Sequence, residues 1–156
     1  MLGLIWWLLY CLVAVWLQYF FPGLDFIVPG VVVSLQEENW WRSSAWLVGF
    51  AVLLQDGMGG LGFGYGLAWY GLILLVFELG RRFFDPRSGA LVGVLAVFLG
   101  LLHFSLTYSL TQLEGMGFTW EHALWESVAQ AALFPPLWYI IHKIFPERLK
   151  EDERTA

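Results

Sequence analysis

Charge is scarce in this 156-residue sequence. Asp, Glu, Lys and Arg make up 13% of it against 59% hydrophobic residues, and eight cations stand against thirteen acids. Soluble domains average about a quarter charged residues, so much of the apolar excess has to face something other than water. A nucleic-acid partner asks for a concentrated basic face, and eight scattered cations with a net charge of −5 exclude one. Cysteine is nearly absent too: Cys11 is the only one, so no internal disulfide forms, and it reads as a packed thiol. Long polar stretches are missing as well. At about 20 residues per bilayer-spanning helix, six helices would take about 120 residues and leave about 36 for loops. That remainder lies below the roughly 40 residues at which chains fold unaided. A water-soluble enzyme and a receptor with a large exterior domain are both excluded.

What the chain does have is a series of apolar runs. The first, Leu2 to Phe21, lacks a positive start and a small-residue cleavage site, and reads as a retained helix rather than a signal peptide. Phe26 to Leu35 is broken by Pro29-Gly30 and is short for a span, which suits a half-helix or re-entrant piece. The third run covers Trp40 to Asp56, the fourth Phe63 to Phe84, and the fifth Ser88 to Gln112. The sixth follows Thr119, a capping residue, and ends near Phe145-Pro146, with Pro135-Pro136 expected to kink it. The expectation is an all-α integral membrane bundle of six helices over residues 1–146, followed by a short charged tail, 147–156.

Loop charge orients this bundle. Arg42, Arg81, Arg82, Arg87, Lys143, Arg148, Lys150 and Arg154 all fall on one side, while the opposite loops carry Asp25, Asp56, Glu114, Glu121 and Glu126. The positive-inside rule makes the cationic side and the C-terminus cytoplasmic. The side of Met1 stays open, because it depends on whether the short second run crosses. Arg81, Arg82 and Arg87 suit anionic lipid heads or an acidic protein face, and Glu78 one turn earlier suits an ion pair at that interface.

The fifth run carries a stripe of small and polar residues. Gly89, Gly93, Ala96, Gly100, His103, Thr107 and Thr111 recur every three or four positions and share one helix face. Such a stripe lets another helix approach closely, with hydroxyls and imidazole free to bond across the contact. It suits packing within this bundle, a seam for another protein's helix, or a path lined by His103. Ionisable groups inside a membrane are functional candidates, and a hydrogen-bonded neutral imidazole is the simpler account. His122 and Glu126 stand four apart with Gln130 one turn on, too few groups for a metal motif.

Gly57, Gly59 and Gly62 formally match G-x-G-x-x-G, but no strand precedes them, so a dinucleotide site is excluded. Asp56 beside these glycines reads as a turn or capping group, and Gly62 and Gly66 as points of close helix approach. No nucleophile elbow and no H-E-x-x-H is present. Asp56-Gly57 opens like a phosphatidyltransferase signature, whose later residues are missing.

The segment from Leu47 to Gly62 resembles the central motif of the MreD family of bacterial rod shape-determining proteins. Gly49 matches its helix glycine, Asp56 its aspartate, Gly59 or Gly60 the glycine of the turn that begins at Gly57, and Leu61-Gly62 the pair that opens the next helix. Gly60 replaces a usual proline. The stretch Glu78 to Arg82 and the proline-broken last helix are similar as well. The resemblance implies a non-enzymatic inner-membrane protein without cofactors. It would bind the membrane partner MreC and link cytoplasmic MreB filaments to peptidoglycan synthases, with a homodimer left open. Two other classes compete. One is a small-molecule capture subunit similar to the substrate-binding components of energy-coupling-factor transporters, although their A-x-x-x-A pattern is lacking and Ala14 is the only alanine in the first run. The other is a membrane enzyme using His103, His122 and Glu126.

Overall fold

The computed structural model describes residues 2–37, 40–58, 64–113, 115 and 117–145. They form six helices: α1 (Leu2–Phe20), α2 (Val28–Leu35), α3 (Trp40–Met58), α4 (Tyr65–Gly80), α5 (Gly89–Leu113) and α6 (Trp120–Ile144). No strand occurs among the described residues. Among the described residues one helix, α5, is long and apolar enough to cross a membrane, and two stretches, Ile5–Phe20 and Tyr65–Gly80, are shorter apolar helices. Every long helix nonetheless turns large apolar side chains outward, among them Leu12 and Trp16 on α1, Leu53 on α3, Leu75 on α4, Leu101 on α5 and Val128 on α6.

Local chemistry sets the helix limits. Gly64 precedes α4 with a φ of 104°, a left-handed conformation that favours glycine. The Ser88 hydroxyl accepts a hydrogen bond from the Leu91 amide at 3.2 Å and so caps α5. Thr119 occupies the capping position of α6 without making a side-chain cap bond. Pro29 does not break α2. It sits in the first turn, where its missing amide hydrogen is one that a helix start leaves unpaired anyway. Pro135 and Pro136 lie inside α6, which continues through them.

The six elements alternate in direction. Trp6 and Trp7 at the start of α1 pack on Phe145 after α6, with ring centroids 5.1 and 5.5 Å apart. Both ends of the helical chain therefore lie at the end that holds Arg81, Arg82, Arg87 and Lys143, called the basic end below. The opposite, acidic end gathers the α3 to α4 and α5 to α6 turns, where Phe104, Tyr108, Phe118 and Trp120 form an aromatic cluster.

The core is unusual in what it encloses. All eight residues of α2 are buried, and five of them, Val28, Val31, Val32, Val33 and Leu35, form one cluster with Leu47, Trp69, Tyr70, Ile73, Leu95, Leu99 and Phe134 from the surrounding helices. At 1.5 Å per residue α2 is about 12 Å long, well short of a bilayer core of about 30 Å. The chain still travels from one end of the bundle toward the other here. Asp25 before α2 meets Gln130 of α6, and Gln36 after it meets Trp138, eight positions further along that helix.

Candidate functional site

The densest polar cluster surrounds Asp25, which is 6% exposed in the connection between α1 and α2. Its Oδ1 accepts from Gln18 Nε2 at 3.0 Å and from the amides of Ile27 at 2.8 Å and Val28 at 3.3 Å. Its Oδ2 accepts from Trp69 Nε1 at 2.8 Å and from the Tyr70 hydroxyl at 2.6 Å. The amide bonds place a carboxylate on the N-terminus of α2, where the helix dipole favours negative charge. Gln130 holds the same residue by its backbone: Oε1 accepts from the Asp25 amide at 2.8 Å, and Nε2 donates to the Asp25 carbonyl at 3.0 Å. Tyr10 completes the clamp by donating its hydroxyl to the Phe26 carbonyl and accepting from the Gly30 amide at 3.1 Å. A Cβ on Gly30 would overlap the Tyr10 ring, so this approach needs glycine.

His103 borders the cluster. Its ring meets the Trp69 indole edge to face, with centroids 5.8 Å apart and planes at 82°. Nδ1 lies 3.2 Å from Ser127 Oγ. Gly23 has a φ of 92° and lies against the Glu126 carboxylate, which pairs with His122 at 3.0 Å. Gln130, read from sequence beside His122 and Glu126, instead faces inward to Asp25.

The far end of α2 has its own anchor. Gln36 Nε2 donates to the Pro86 carbonyl at 2.6 Å, and Gln36 Oε1 accepts from Trp138 Nε1 at 2.9 Å. Ser34 and Ser44 share a hydrogen bond of 2.9 Å between α2 and α3.

The residues singled out from sequence are dispersed. Asp56 in the last turn of α3 accepts from the Gly66 amide at 2.7 Å, tying α3 to the start of α4. A Cβ on Gly66 would come within 2.9 Å of that carboxylate and 3.0 Å of the Val52 carbonyl. Gly49 and Gly57 face open space, and Gly59, Gly60, Leu61 and Gly62 lie outside the described residues. Along α5 the stripe divides. A Cβ on Gly100 would sit 3.0 Å from the Ser127 carbonyl and 3.2 Å from Ala131 Cβ, whereas Gly89 and Gly93 meet nothing within 4 Å. Ala96 and His103 are buried. Thr107 is half-buried, and its carbonyl accepts from Thr111 Oγ1 at 2.8 Å. At the basic end Arg81 pairs with Glu78 at 2.7 Å, while Arg82 and Arg87 are exposed.

Sequence reasoning missed Asp25 as a centre, because four of its partners, Trp69, Tyr70, Gln18 and Gln130, come from three other helices. The signals were Gln18 and Gln130, lone amides in apolar helices. Among the described residues no group of three or more metal-ligating side chains occurs. The cluster is built to hold a buried negative charge and to fix α2. No family model, curated protein or solved structure matches the chain.

Proposed function

We propose that this chain is a non-enzymatic membrane scaffold of the bacterial cell-elongation machinery, similar to MreD. It sits in the inner membrane as a six-element bundle with its basic end in the cytoplasm, binds MreC and links MreB filaments to peptidoglycan synthesis. The observation that carries this reading is the Asp56 to Gly66 bond across the α3 to α4 turn. It gives the aspartate of the resemblance a structural task at a closely packed helix pair, which fits a part that holds shape. The apolar side chains turned outward on every long helix support the membrane setting. The exposed Arg82 and Arg87 suit lipid heads or an acidic cytoplasmic partner.

A capture subunit would reserve the centre of the bundle for its ligand. Here α2 fills that centre with eight buried residues, which favours the scaffold. Two measurements test the proposal. Affinity purification of the full chain from membranes should recover the MreC partner, and deletion should round a rod-shaped cell. Normal rods after deletion in a strain without a second copy would overturn it, as would thermal stabilisation by a vitamin in place of partner recovery.

A further inference from the structure

We propose that the connection between α4 and α5, at the basic end, binds the headgroup of an anionic phospholipid, with Phe83 seated among the acyl chains and Arg82 and Arg87 on the phosphate. The inference rests on the membrane setting of the proposed function and names the partner of that surface. Residues 81–88 form a built turn. The amides of Phe83 and Phe84 bond to the Gly80 carbonyl at 3.0 and 2.9 Å, and the Ser88 amide bonds to the Asp85 carbonyl at 2.9 Å. From the bundle side the Pro86 carbonyl takes the Gln36 side-chain amide at 2.6 Å. A turn fixed in this way holds its outward side chains in place before a ligand arrives, which lowers the cost of binding.

Those side chains pair two chemistries. Phe83 is 81% exposed and Phe84 39%, although large rings gain nothing from facing water. Phe83 extends a line of exposed apolar side chains spaced four apart, Leu75, Leu79 and Phe83, so the outer face of α4 runs unbroken into the turn. Arg82 and Arg87 flank the rings, both exposed and neither in a described ion pair. The two acids of the stretch are engaged: Glu78 pairs with Arg81 at 2.7 Å, and Asp85 Oδ1 accepts from the Arg87 amide at 2.9 Å. Helix α6 repeats the pattern. Its exposed Ile140 and Ile144 end beside Lys143, whose ammonium lies 4.7 Å from the centre of the Tyr139 ring. At the acidic end the exposed rings of Tyr19, Phe20, Trp120 and Trp125 stand with Glu121 and no described Lys or Arg. One rim of the outward apolar surface is therefore cationic and the other is not. Cations beside an apolar ring complement phosphate headgroups lying over acyl chains, whereas a water-borne acidic protein would match the arginines and leave the rings uncovered.

The test is binding of a fluorescent phosphatidylglycerol to the full chain in neutral-detergent micelles, with unlabelled phosphatidylglycerol, phosphatidylcholine, inorganic phosphate and a short polyglutamate as competitors. Phosphatidylglycerol should compete about twentyfold to thirtyfold better than phosphatidylcholine, at about fivefold per cation. That ratio should shrink as salt rises from about 0.05 to about 0.5 M. The double variant Arg82→Gln, Arg87→Gln should bring it close to one, while Phe83→Ser should weaken both lipids and leave the ratio in place. Equal competition by the two lipids, an unchanged ratio in the double variant or unchanged binding in Phe83→Ser would overturn the proposal. So would inorganic phosphate or polyglutamate competing as well as phosphatidylglycerol, the first pointing to a free anion and the second to an acidic protein. Membrane fractionation keeps this site and the proposed function apart. A chain recovered in the soluble fraction would overturn the membrane setting and this site with it, whereas a membrane-bound chain that recovers its partner but shows no lipid preference would overturn this site alone.

Discussion

The two ends of α2 are anchored by different chemistry. At one end a carboxylate gathers five donors from α1, α4 and its own helix. At the other the neutral Gln36 amide makes one bond as donor and one as acceptor, to the α4 to α5 connection and to α6. Both satisfy buried groups, yet they differ in what their loss leaves behind. Removing the carboxylate strands an indole, a hydroxyl, two backbone amides and the Gln18 side-chain amide. Removing the amide strands one indole and one carbonyl. A charged hub thus concentrates the cost of failure at one residue, while a neutral anchor spreads it.

The largest expected effect comes from breaking the charged end. Asp25→Ala should lower stability by about 3–4 kcal/mol, read by denaturant titration in micelles. A loss equal to that of Gln36→Ala would erase the contrast. Next is Gly100→Leu, which drives a large side chain into the α6 backbone beside His103 and Ser127 and should cost about 2–3 kcal/mol. Gly93→Leu on the open part of the same helix should stay within about 0.5 kcal/mol. Equal losses from the two leucine variants would show that both positions are packed. Gln36→Ala should cost about 1–2 kcal/mol, visible also as a change in Trp138 fluorescence. The smallest effect is His122→Ala, whose exposed pair with Glu126 should shift stability by less than about 0.5 kcal/mol.

Much of the fold was legible because apolar runs and their breakers act locally. The start of α5 at Ser88 and the end of α6 before Pro146 follow from neighbours in sequence, whereas Gly64, read as part of the fourth run, stands before α4 as its cap. Pro29 misled, since proline at a helix start and proline as a breaker look alike until the length of the following run is weighed. The candidate site was far less legible. Asp25 finds Trp69 and Tyr70 44 and 45 positions later, and Gln130 105 positions later. No local pattern encodes such a meeting. The glycine stripe shows the same limit from the other side: one period places Gly93 and Gly100 on a line, but which of them a neighbour reaches depends on where α6 crosses. Charge alone left open where the chain starts relative to its last helix; Trp6 and Trp7 against Phe145 put the start of α1 beside the end of α6.

The complete burial of α2 has a bearing on how the protein is made. Its eight residues leave the ribosome early, but its partners Gln130 and Trp138 are translated more than a hundred residues later. A segment of about 12 Å cannot be held in a membrane by its own hydrophobicity. Until α6 arrives, the Asp25 backbone lacks its Gln130 clamp. The α6 side of the clamp therefore closes last, and a chain halted before residue 130 would lack the Gln130 and Trp138 anchors at the two ends of α2.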